Sequence, residues 1–153
     1  MSSKAISRVT VINGGPSAER EVSLATGREV ESALRGEGYE VTMIDAGESL
    51  AADIVASRPD VVFNALHGRW GEDGCVQGIL EWLQVPYTHA GVFSSALAMD
   101  KEKTKDAYRA AGLPVAKSML VSKADILAGH PMPPPYVVKP YNEGSSVGVY
   151  IWR

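Results

Sequence analysis

Three short runs of apolar residues constrain the fold of this chain more than any other feature. They span Val9–Ile12, Val41–Ile44 and Val61–Leu66, and they are rich in β-branched side chains. Because each run is continuous rather than alternating, it is typical of a parallel strand covered on both faces. Segments with helical spacing separate the runs. This order predicts an α/β fold with right-handed βαβ connections, whose ligands bind at the carboxyl ends of the strands.

Helices are predicted in the segments between these runs. The first carries five side chains on one predicted face: Val22, Ala25, Val30, Ala33 and Leu34. Gly36 and Gly38 offer its stop. A second helix is predicted over Leu50–Ser57 and a third over Val76–Leu83, each ending shortly before a proline.

The pattern changes after about Val92. The following segments are predicted, in chain order, as two helices, two strands, a loop and a last strand: Ser94–Met99, Lys101–Ala111, Ser118–Val121, Tyr136–Lys139, Tyr141–Ser146 and Val147–Trp152. We therefore predict a complete α/β domain over residues 1–97 and the opening of a second domain over residues 98–153. Because Arg153 follows a strand directly, we expect the chain to be part of a longer protein.

Composition narrows the class of protein. Of the 153 residues, 45% are hydrophobic and 22% are charged, which is ordinary for a soluble globular protein and excludes a disordered or repetitive chain. The net charge of −3 gives no reason to expect a nucleic-acid partner. Cys75 is the single cysteine, which excludes an internal disulfide. Because the sequence shows neither a signal peptide nor a membrane-spanning run, we expect a cytoplasmic protein with no membrane partner.

A glycine-containing loop, Asn13–Glu21, follows the first predicted strand directly. Gly14 and Gly15 permit a sharp turn and bring backbone N–H groups close to a ligand at the start of the next helix. The spacing matches neither a Walker A loop nor the dinucleotide-binding fingerprint. A carboxylate at Glu19 suits a substrate ammonium better than a phosphate. The plainer alternative is a tight strand–helix turn with solvated charges.

A second loop, Ala65–Gly74, follows the third predicted strand. It contains His67, Glu72 and Asp73 among its glycines, at the edge where an open α/β sheet binds its ligands. Taken singly, His67 is more often structural, the two carboxylates are compatible with a helix start, and Trp70 is as well suited to packing. The presence of these residues in one loop favours a binding site.

A third candidate site lies in the segment Val138–Gly148. Lys139 would meet a phosphate as a point charge, and the hydroxyls of Ser145 and Ser146 would fold over it with the loop N–H groups. Lys101 adds a further cation at a predicted helix start. The alternative is an ordinary hairpin with a serine-rich turn. Neither a metal-ligand spacing nor a Ser/His/Asp arrangement can be assigned from the sequence.

Five motifs, in this order, resemble those of the D-alanine–D-alanine ligases of the ATP-grasp superfamily. They are Gly14–Ser23 (GGPSAEREVS), Ala65–Gly74 (ALHGRWGEDG), Met99–Lys101 (MDK), Ala111–Val115 (AGLPV), and Val138–Pro140 (VKP) with Glu143–Gly148 (EGSSVG). The resemblance runs from about Val9 to Gly148. It implies a Rossmann-like, parallel-sheet substrate-binding domain over residues 1–97, of the kind that precedes ATP-grasp domains. Residues 98–153 would begin an α+β ATP-grasp domain, which is incomplete here.

The resemblance also implies an activity, namely ATP-dependent joining of two D-alanines for peptidoglycan and cell-wall synthesis, with Mg²⁺ or Mn²⁺. In such enzymes the carboxylate of the first D-alanine is phosphorylated to an acyl phosphate. The amine of the second D-alanine then attacks, and phosphate leaves. Positioning and charge stabilisation supply most of the remaining rate. A homodimer formed through the amino-terminal domain is implied as well.

Roles for individual residues follow from the same resemblance. Glu19 would bind the ammonium of the first D-alanine, His67 would lie beside it, and Glu72 would buttress that wall. Ser145 would hydrogen-bond toward Glu19, which makes these two the implied catalytic residues. ATP would be bound by two lysines and a closing loop: Lys101, Lys139, Glu143, Gly144, Ser145, Ser146 and Gly148. Trp70 departs from the family pattern, because many relatives carry a smaller residue there.

Other parts of the family's machinery are expected beyond Arg153. These are the magnesium carboxylates, the adenine pocket, the arginine that stabilises the transferred phosphate, and the residues for the second substrate. No metal ligand is therefore assigned here, and the 153 residues alone are predicted to be inactive. Two alternatives stay open: a related ATP-grasp ligase with another acceptor, such as D-lactate, and a non-catalytic module that binds a small ligand. Lys139 and the Glu143–Gly148 loop disfavour the module, because a pure binder needs no lid over ATP.

Overall fold

The computed structural model describes residues 6–142 and 148–153. Contacts between Cα atoms divide the chain into two compact units, Met1–Ala96 and Leu97–Arg153. Within the described ranges, no helix is both long and apolar enough to cross a membrane. The assignment of residues 1–97 and 98–153 to a substrate-binding domain and the beginning of an ATP-grasp domain stays a prediction.

A parallel sheet of three strands forms the centre of the first unit. In the order in which they lie side by side, the strands are β2 (Glu40–Asp45), β1 (Arg8–Asn13) and β3 (Val61–Asn64). Val9 of the central strand pairs with Val41 on one side and with Val61 on the other. A parallel bridge joins Val62 to Tyr87 beyond β3. The predicted α/β class with a parallel sheet is confirmed. All three strands coincide with apolar runs because both faces of the sheet are covered.

Helices cover the two faces of this sheet. They are α1 (Arg20–Gly36), α2 (Leu50–Ser57) and α3 (Cys75–Trp82), and α4 (Val92–Met99) follows them in the chain. On one face a cluster centred on Val11 and Val41 packs against side chains of α1. On the other face Ile12 packs with side chains of α2 and α3, including Ile54 and Leu80, which are fully buried. The sheet is therefore the middle layer of three, and its strand ends are left open to the loops.

The predicted buried face of α1 is partly wrong. Three of its members are exposed: Val22, Ala25 and Ala33. The face that meets the sheet carries Ser23 and Gly27, which are buried, and then Val30 and Leu34, which are half-buried. A Cβ on Gly27 would collide with the side chain of Asn13, so the absence of a side chain lets the helix approach the sheet closely. Close approach selects small residues there, which a count of apolar residues does not reveal.

The described residues of the second unit form two further helices and an antiparallel pair of strands. In chain order these are α5 (Lys101–Ala110), α6 (Lys123–Ala128), β4 (Tyr136–Val138) and β5 (Tyr150–Trp152). Asp100 caps α5 by accepting hydrogen bonds from the N–H groups of Glu102 and Lys103 at 3.1 and 3.0 Å. β4 lies within the predicted strand Tyr136–Lys139, and β5 lies within the predicted strand Val147–Trp152. Val147 itself is outside the described residues.

A predicted strand over Ser118–Val121 is wrong. This segment is irregular, and the Ser118 hydroxyl donates a hydrogen bond of 3.0 Å to the carboxylate of Glu102. The sequence analysis also missed α6, which follows directly. A capping box between Ser122 and Asp125 begins that helix, because each residue's side chain accepts from the other's backbone N–H. The capping signal at Ser122 therefore fixes where α6 begins.

Candidate functional site

The loop after β1 turns on two glycines in the left-handed region. Gly14 has φ +68° and Gly15 has φ +76°. The Gly15 N–H donates to Asp45 Oδ1 at 3.2 Å, and the Arg20 guanidinium forms two hydrogen bonds with the same carboxylate, one of them 2.7 Å. The hydrogen bond from Arg20 is the main reason that the pKa of Asp45 lies below its ordinary value. Asp45, which the sequence analysis missed, thereby fixes the glycine loop to the end of β2.

Glu19 stands immediately before α1 and is buried, with 6% of its surface exposed. Its N–H donates to the Ser17 hydroxyl at 3.1 Å. Its Oε1 lies against Gly68, where an added Cβ would be 2.5 Å away. Its Oε2 is buried, and no atom of the described residues forms a hydrogen bond with it. A buried carboxylate oxygen without a donor is costly, so this arrangement suits a positively charged ligand group.

His67 is tied to the same region from two sides. The Ser17 hydroxyl, which accepts from the Glu19 N–H, donates to the His67 carbonyl at 2.9 Å. On α1, the Thr26 hydroxyl lies 2.9 Å from Nε2 of the His67 ring, within hydrogen-bonding distance. Ser17 thus links the backbones at Glu19 and His67, and both residues lie at the carboxyl-terminal edge of the parallel sheet.

Glu72 acts on Gly68, the residue between His67 and the rest of the loop. One carboxylate oxygen of Glu72 accepts from the Gly68 N–H at 2.7 Å, and the Glu72 N–H donates to the Gly68 carbonyl at 2.9 Å. Gly68 has φ +67°, and these two bonds hold it in that conformation against Glu19. The structure therefore brings the three predicted residues of the first unit together around Gly68.

Two buried side-chain amides hold the Ala65–Gly74 loop through the Gly71 carbonyl. Asn64 Nδ2 and Gln77 Nε2 each donate to the Gly71 carbonyl at 2.8 Å. Asn64 Oδ1 accepts from the Leu66 N–H at 3.1 Å. The sequence analysis missed both amides. Asn64, a polar residue inside the apolar run Val61–Leu66, is the one signal that points to them.

The outer part of the loop is organised by Asp73. Its carboxylate accepts from the N–H groups of Trp70 and Cys75 at 3.0 and 3.1 Å. Burial acts to raise the pKa of Asp73, but these hydrogen bonds outweigh it and leave the pKa below its ordinary value. Trp70 is left-handed with φ +73°, and it is 43% exposed. The Arg69 guanidinium lies 4.6 Å over its ring, a cation–π geometry.

A cleft of about 580 Å³ opens beside this loop. Its walls come from the glycine loop, the segment after β2, the segment after β3, and the first turns of α2 and α3. The lining residues include Gly15, Ser17, Ala46, Leu50, Leu66, His67, Trp70, Val76 and Ile79. A largely apolar cleft of this size, with a few polar groups at its edge, is typical of a small-molecule site.

The second unit holds the remaining predicted residues that the structure describes. Lys101 begins α5, and its N–H donates to the Tyr141 carbonyl at 3.1 Å. Lys139 follows β4 directly and is exposed. Gly148 has φ +66°, and an added Cβ would lie 3.2 Å from Pro140. Four predicted ATP-binding residues lie outside the described residues: Glu143, Gly144, Ser145 and Ser146.

Residues 6–142 and 148–153 contain no candidate metal site. No group of three or more His, Cys, Asp or Glu side chains in these ranges is arranged to hold a metal ion. The predicted use of Mg²⁺ or Mn²⁺ therefore has no assigned ligands in this part of the chain.

Comparison with known proteins identifies relatives of the whole chain. A sequence model of the family described as "D-ala D-ala ligase N-terminus" matches residues 45–90. A D-alanine–D-alanine ligase from Ruegeria pomeroyi is 70% identical over 151 residues, which is 99% of this chain and 49% of that protein. The chain thus spans about half the length of the curated relatives it matches.

Solved structures agree with the sequence relatives. A D-alanine–D-alanine ligase from Bacillus anthracis superposes with a TM-score of 0.74 at 38% identity, covering 95% of this chain and 49% of that one. The same enzyme complexed with ATP gives a TM-score of 0.70 at 35% identity, covering 96% of this chain and 50% of that one. In sequence and in fold, the chain therefore matches the amino-terminal half of the D-alanine–D-alanine ligase family, as the motifs predicted.

Proposed function

We propose that this chain is the amino-terminal portion of an enzyme that joins two D-alanines at the expense of ATP, for peptidoglycan synthesis. In the first step, the carboxylate of one D-alanine attacks the γ-phosphorus of ATP and forms an acyl phosphate, with ADP as the leaving group. In the second, the amine of another D-alanine attacks the carbonyl carbon, phosphate leaves, and the attacking nitrogen loses a proton. All three relatives named above are called D-alanine–D-alanine ligases, and one of them is complexed with ATP.

The observation that carries this proposal is the buried carboxylate of Glu19. Its Oε2 has no hydrogen-bond partner among the described residues, although only 6% of the surface of Glu19 is exposed. An ammonium group has three donors and a full positive charge, so it would satisfy this oxygen and offset the cost of burying the charge. Glu19 would thereby orient the first D-alanine by its amine and leave its carboxylate pointing away, toward the phosphate donor.

His67 and Glu72 would complete this subsite. His67 is held beside Glu19 through Ser17, so its ring can meet the first D-alanine from a second direction. Glu72 would act indirectly, because its two hydrogen bonds keep Gly68 against Glu19. In this assignment Glu19 and His67 contact the substrate, while Glu72 is a positioning residue.

ATP would be bound by residues of the second unit. Lys101 and Lys139 are cations suited to the phosphates, and Gly148 would belong to the closing loop with Glu143, Gly144, Ser145 and Ser146. Ser145 would reach toward Glu19 when that loop closes. Mg²⁺ or Mn²⁺ would neutralise phosphate charge during transfer, and no described residue is assigned to hold it.

Two further properties belong to the same proposal. A homodimer formed through the amino-terminal domain would follow the family. A cytoplasmic location is expected as well, and the single cysteine, Cys75, is compatible with a reducing compartment.

The test uses the natural gene product that contains this chain. It is incubated with ATP, Mg²⁺ and D-alanine, while phosphate release is followed by a coupled assay and products are identified by mass spectrometry. We expect one phosphate per D-alanyl-D-alanine and no phosphate release without D-alanine. Adding D-lactate tests the alternative acceptor, since a depsipeptide would replace the dipeptide. The absence of any condensed product would contradict the proposal.

A further inference from the structure

Three hydroxyls from α1 and the loop before it bind the segment that carries His67. Ser23 is fully buried and donates to the Ala65 carbonyl at 2.8 Å. Ser17 donates to the His67 carbonyl at 2.9 Å, and Thr26 lies 2.9 Å from Nε2 of the His67 ring. Ser23 and Thr26 are three residues apart, so they lie on the same side of the helix, toward the exit of β3.

Two of these contacts hold the backbone around His67, and the third holds its ring. Ser23 and Ser17 fix the chain on either side of Leu66, which places the Cα of His67 but leaves its side-chain torsions undetermined. The contact with Thr26 is the remaining constraint, because it holds one ring nitrogen to a helix that packs directly on the sheet. Nδ1 of His67 forms no hydrogen bond with the described residues, and the residue lines the cleft.

We propose that Thr26 is a positioning residue for His67, whose hydroxyl donates to Nε2 and so keeps the proton on Nδ1. A neutral imidazole has one donor nitrogen and one acceptor nitrogen. A hydroxyl that donates to Nε2 therefore makes Nε2 the acceptor and leaves the proton on Nδ1. Nδ1–H is then the group presented to the ligand. This inference rests on the proposed function, in which the ligand brings a carboxylate that needs a donor.

The experiment measures the tautomer and the kinetics separately. In the natural gene product labelled with ¹⁵N-histidine, the two ring nitrogens are distinguished by their ¹⁵N shifts at neutral pH. The signal of His67 is assigned by its absence from His67→Gln. Thr26→Val removes the hydroxyl at nearly constant volume, and Thr26→Ser retains it. Thr42→Val, at an exposed position of β2, is the matched control.

We expect the Nδ1–H tautomer in the wild type, in Thr26→Ser and in Thr42→Val, and the Nε2–H tautomer or a mixture in Thr26→Val. The loss of one oriented hydrogen bond should raise the KM for the first D-alanine in Thr26→Val by about tenfold, with the KM for ATP changed by less than about twofold. Thr26→Ser should restore the wild-type KM.

Three results would overturn the inference: an Nε2–H tautomer in the wild type, an unchanged tautomer in Thr26→Val, or a changed tautomer with an unchanged KM. The tautomer measurement needs no turnover. If no variant forms a dipeptide, the proposed function fails, while the NMR result still decides whether Thr26 sets the proton on His67.

Discussion

Replacing Gly68 by alanine is expected to displace the Glu19 side chain while leaving Glu19 itself unmutated. Gly68 has φ +67°, a conformation that costs alanine about 1–2 kcal/mol. The new Cβ would also lie 2.5 Å from Glu19 Oε1 and 3.2 Å from its Cδ, where ordinary contacts begin at 3.4 Å. The carboxylate therefore has to move by roughly 1 Å inside a packed region, which adds about 1–3 kcal/mol.

Gly38→Ala is the matched control for this prediction. Gly38 has φ +88°, and an added Cβ there meets no atom within 4 Å. It therefore carries the cost of backbone strain without the collision. We expect urea denaturation, followed by circular dichroism, to show that Gly68→Ala loses about 1–3 kcal/mol more unfolding free energy than Gly38→Ala.

The two variants should also differ in function. Gly68→Ala should raise the KM for the first D-alanine, because the displaced carboxylate no longer meets the ammonium, whereas Gly38→Ala should leave it unchanged. If the two variants lose equal stability and bind D-alanine equally well, then Gly68 does not set the position of Glu19, and the packing argument is refuted.

Three further predictions concern how the site is held in the fold. Gly27→Ala should destabilise the protein because its Cβ would strike Asn13, whereas Gly78→Ala, with open space around it in α3, should stabilise by about 1 kcal/mol in the same denaturation assay. Ser23→Ala should cost about 1–3 kcal/mol, since it leaves the buried Ala65 carbonyl without its donor; a loss below 0.5 kcal/mol would contradict this, on the scale expected for a buried carbonyl. The lowered pKa of Asp45 means that its contribution to stability is present above the ordinary value of 3.8 and is lost as the pH falls through the folded-state pKa. Acid titration of Asp45→Asn should therefore show a flatter loss of stability below pH 4 than the wild type, and an identical curve would exclude this contribution.

Most of the first unit could be predicted from sequence, and the reason is physical. Strands buried on both faces require continuous apolar runs, so these runs were enough to locate β1, β2 and β3. The buried face of α1 was not predicted correctly, because a helix that approaches a sheet closely selects Ser23 and Gly27 rather than larger apolar residues. In the second unit, the exposed helix α6 depends on its capping box and has no buried face that a pattern of apolar residues would reveal.

The candidate site divides along similar lines. Glu19, His67 and Glu72 were predicted as site residues because their motifs stand directly after predicted strands and resemble those of the family, and their roles stay predictions. The network that holds them was not, because Ser17 and Thr26 carry no sequence signal for a partner about fifty and forty residues away, respectively. The burial of Glu19, with one oxygen unpartnered among the described residues, also depends on the packing of Gly68, which only the folded chain supplies.

The central claim is that the buried carboxylate of Glu19 binds the ammonium of the first D-alanine. The most direct test is the KM for that D-alanine in Glu19→Gln, compared with Glu21→Gln, which changes an exposed carboxylate two residues further along the chain, in the first turn of α1. Loss of a buried charge-assisted contact should raise the KM about 30- to 100-fold in Glu19→Gln, with less than a twofold change expected in Glu21→Gln on the same scale. Equal KM values in the two variants would contradict the account.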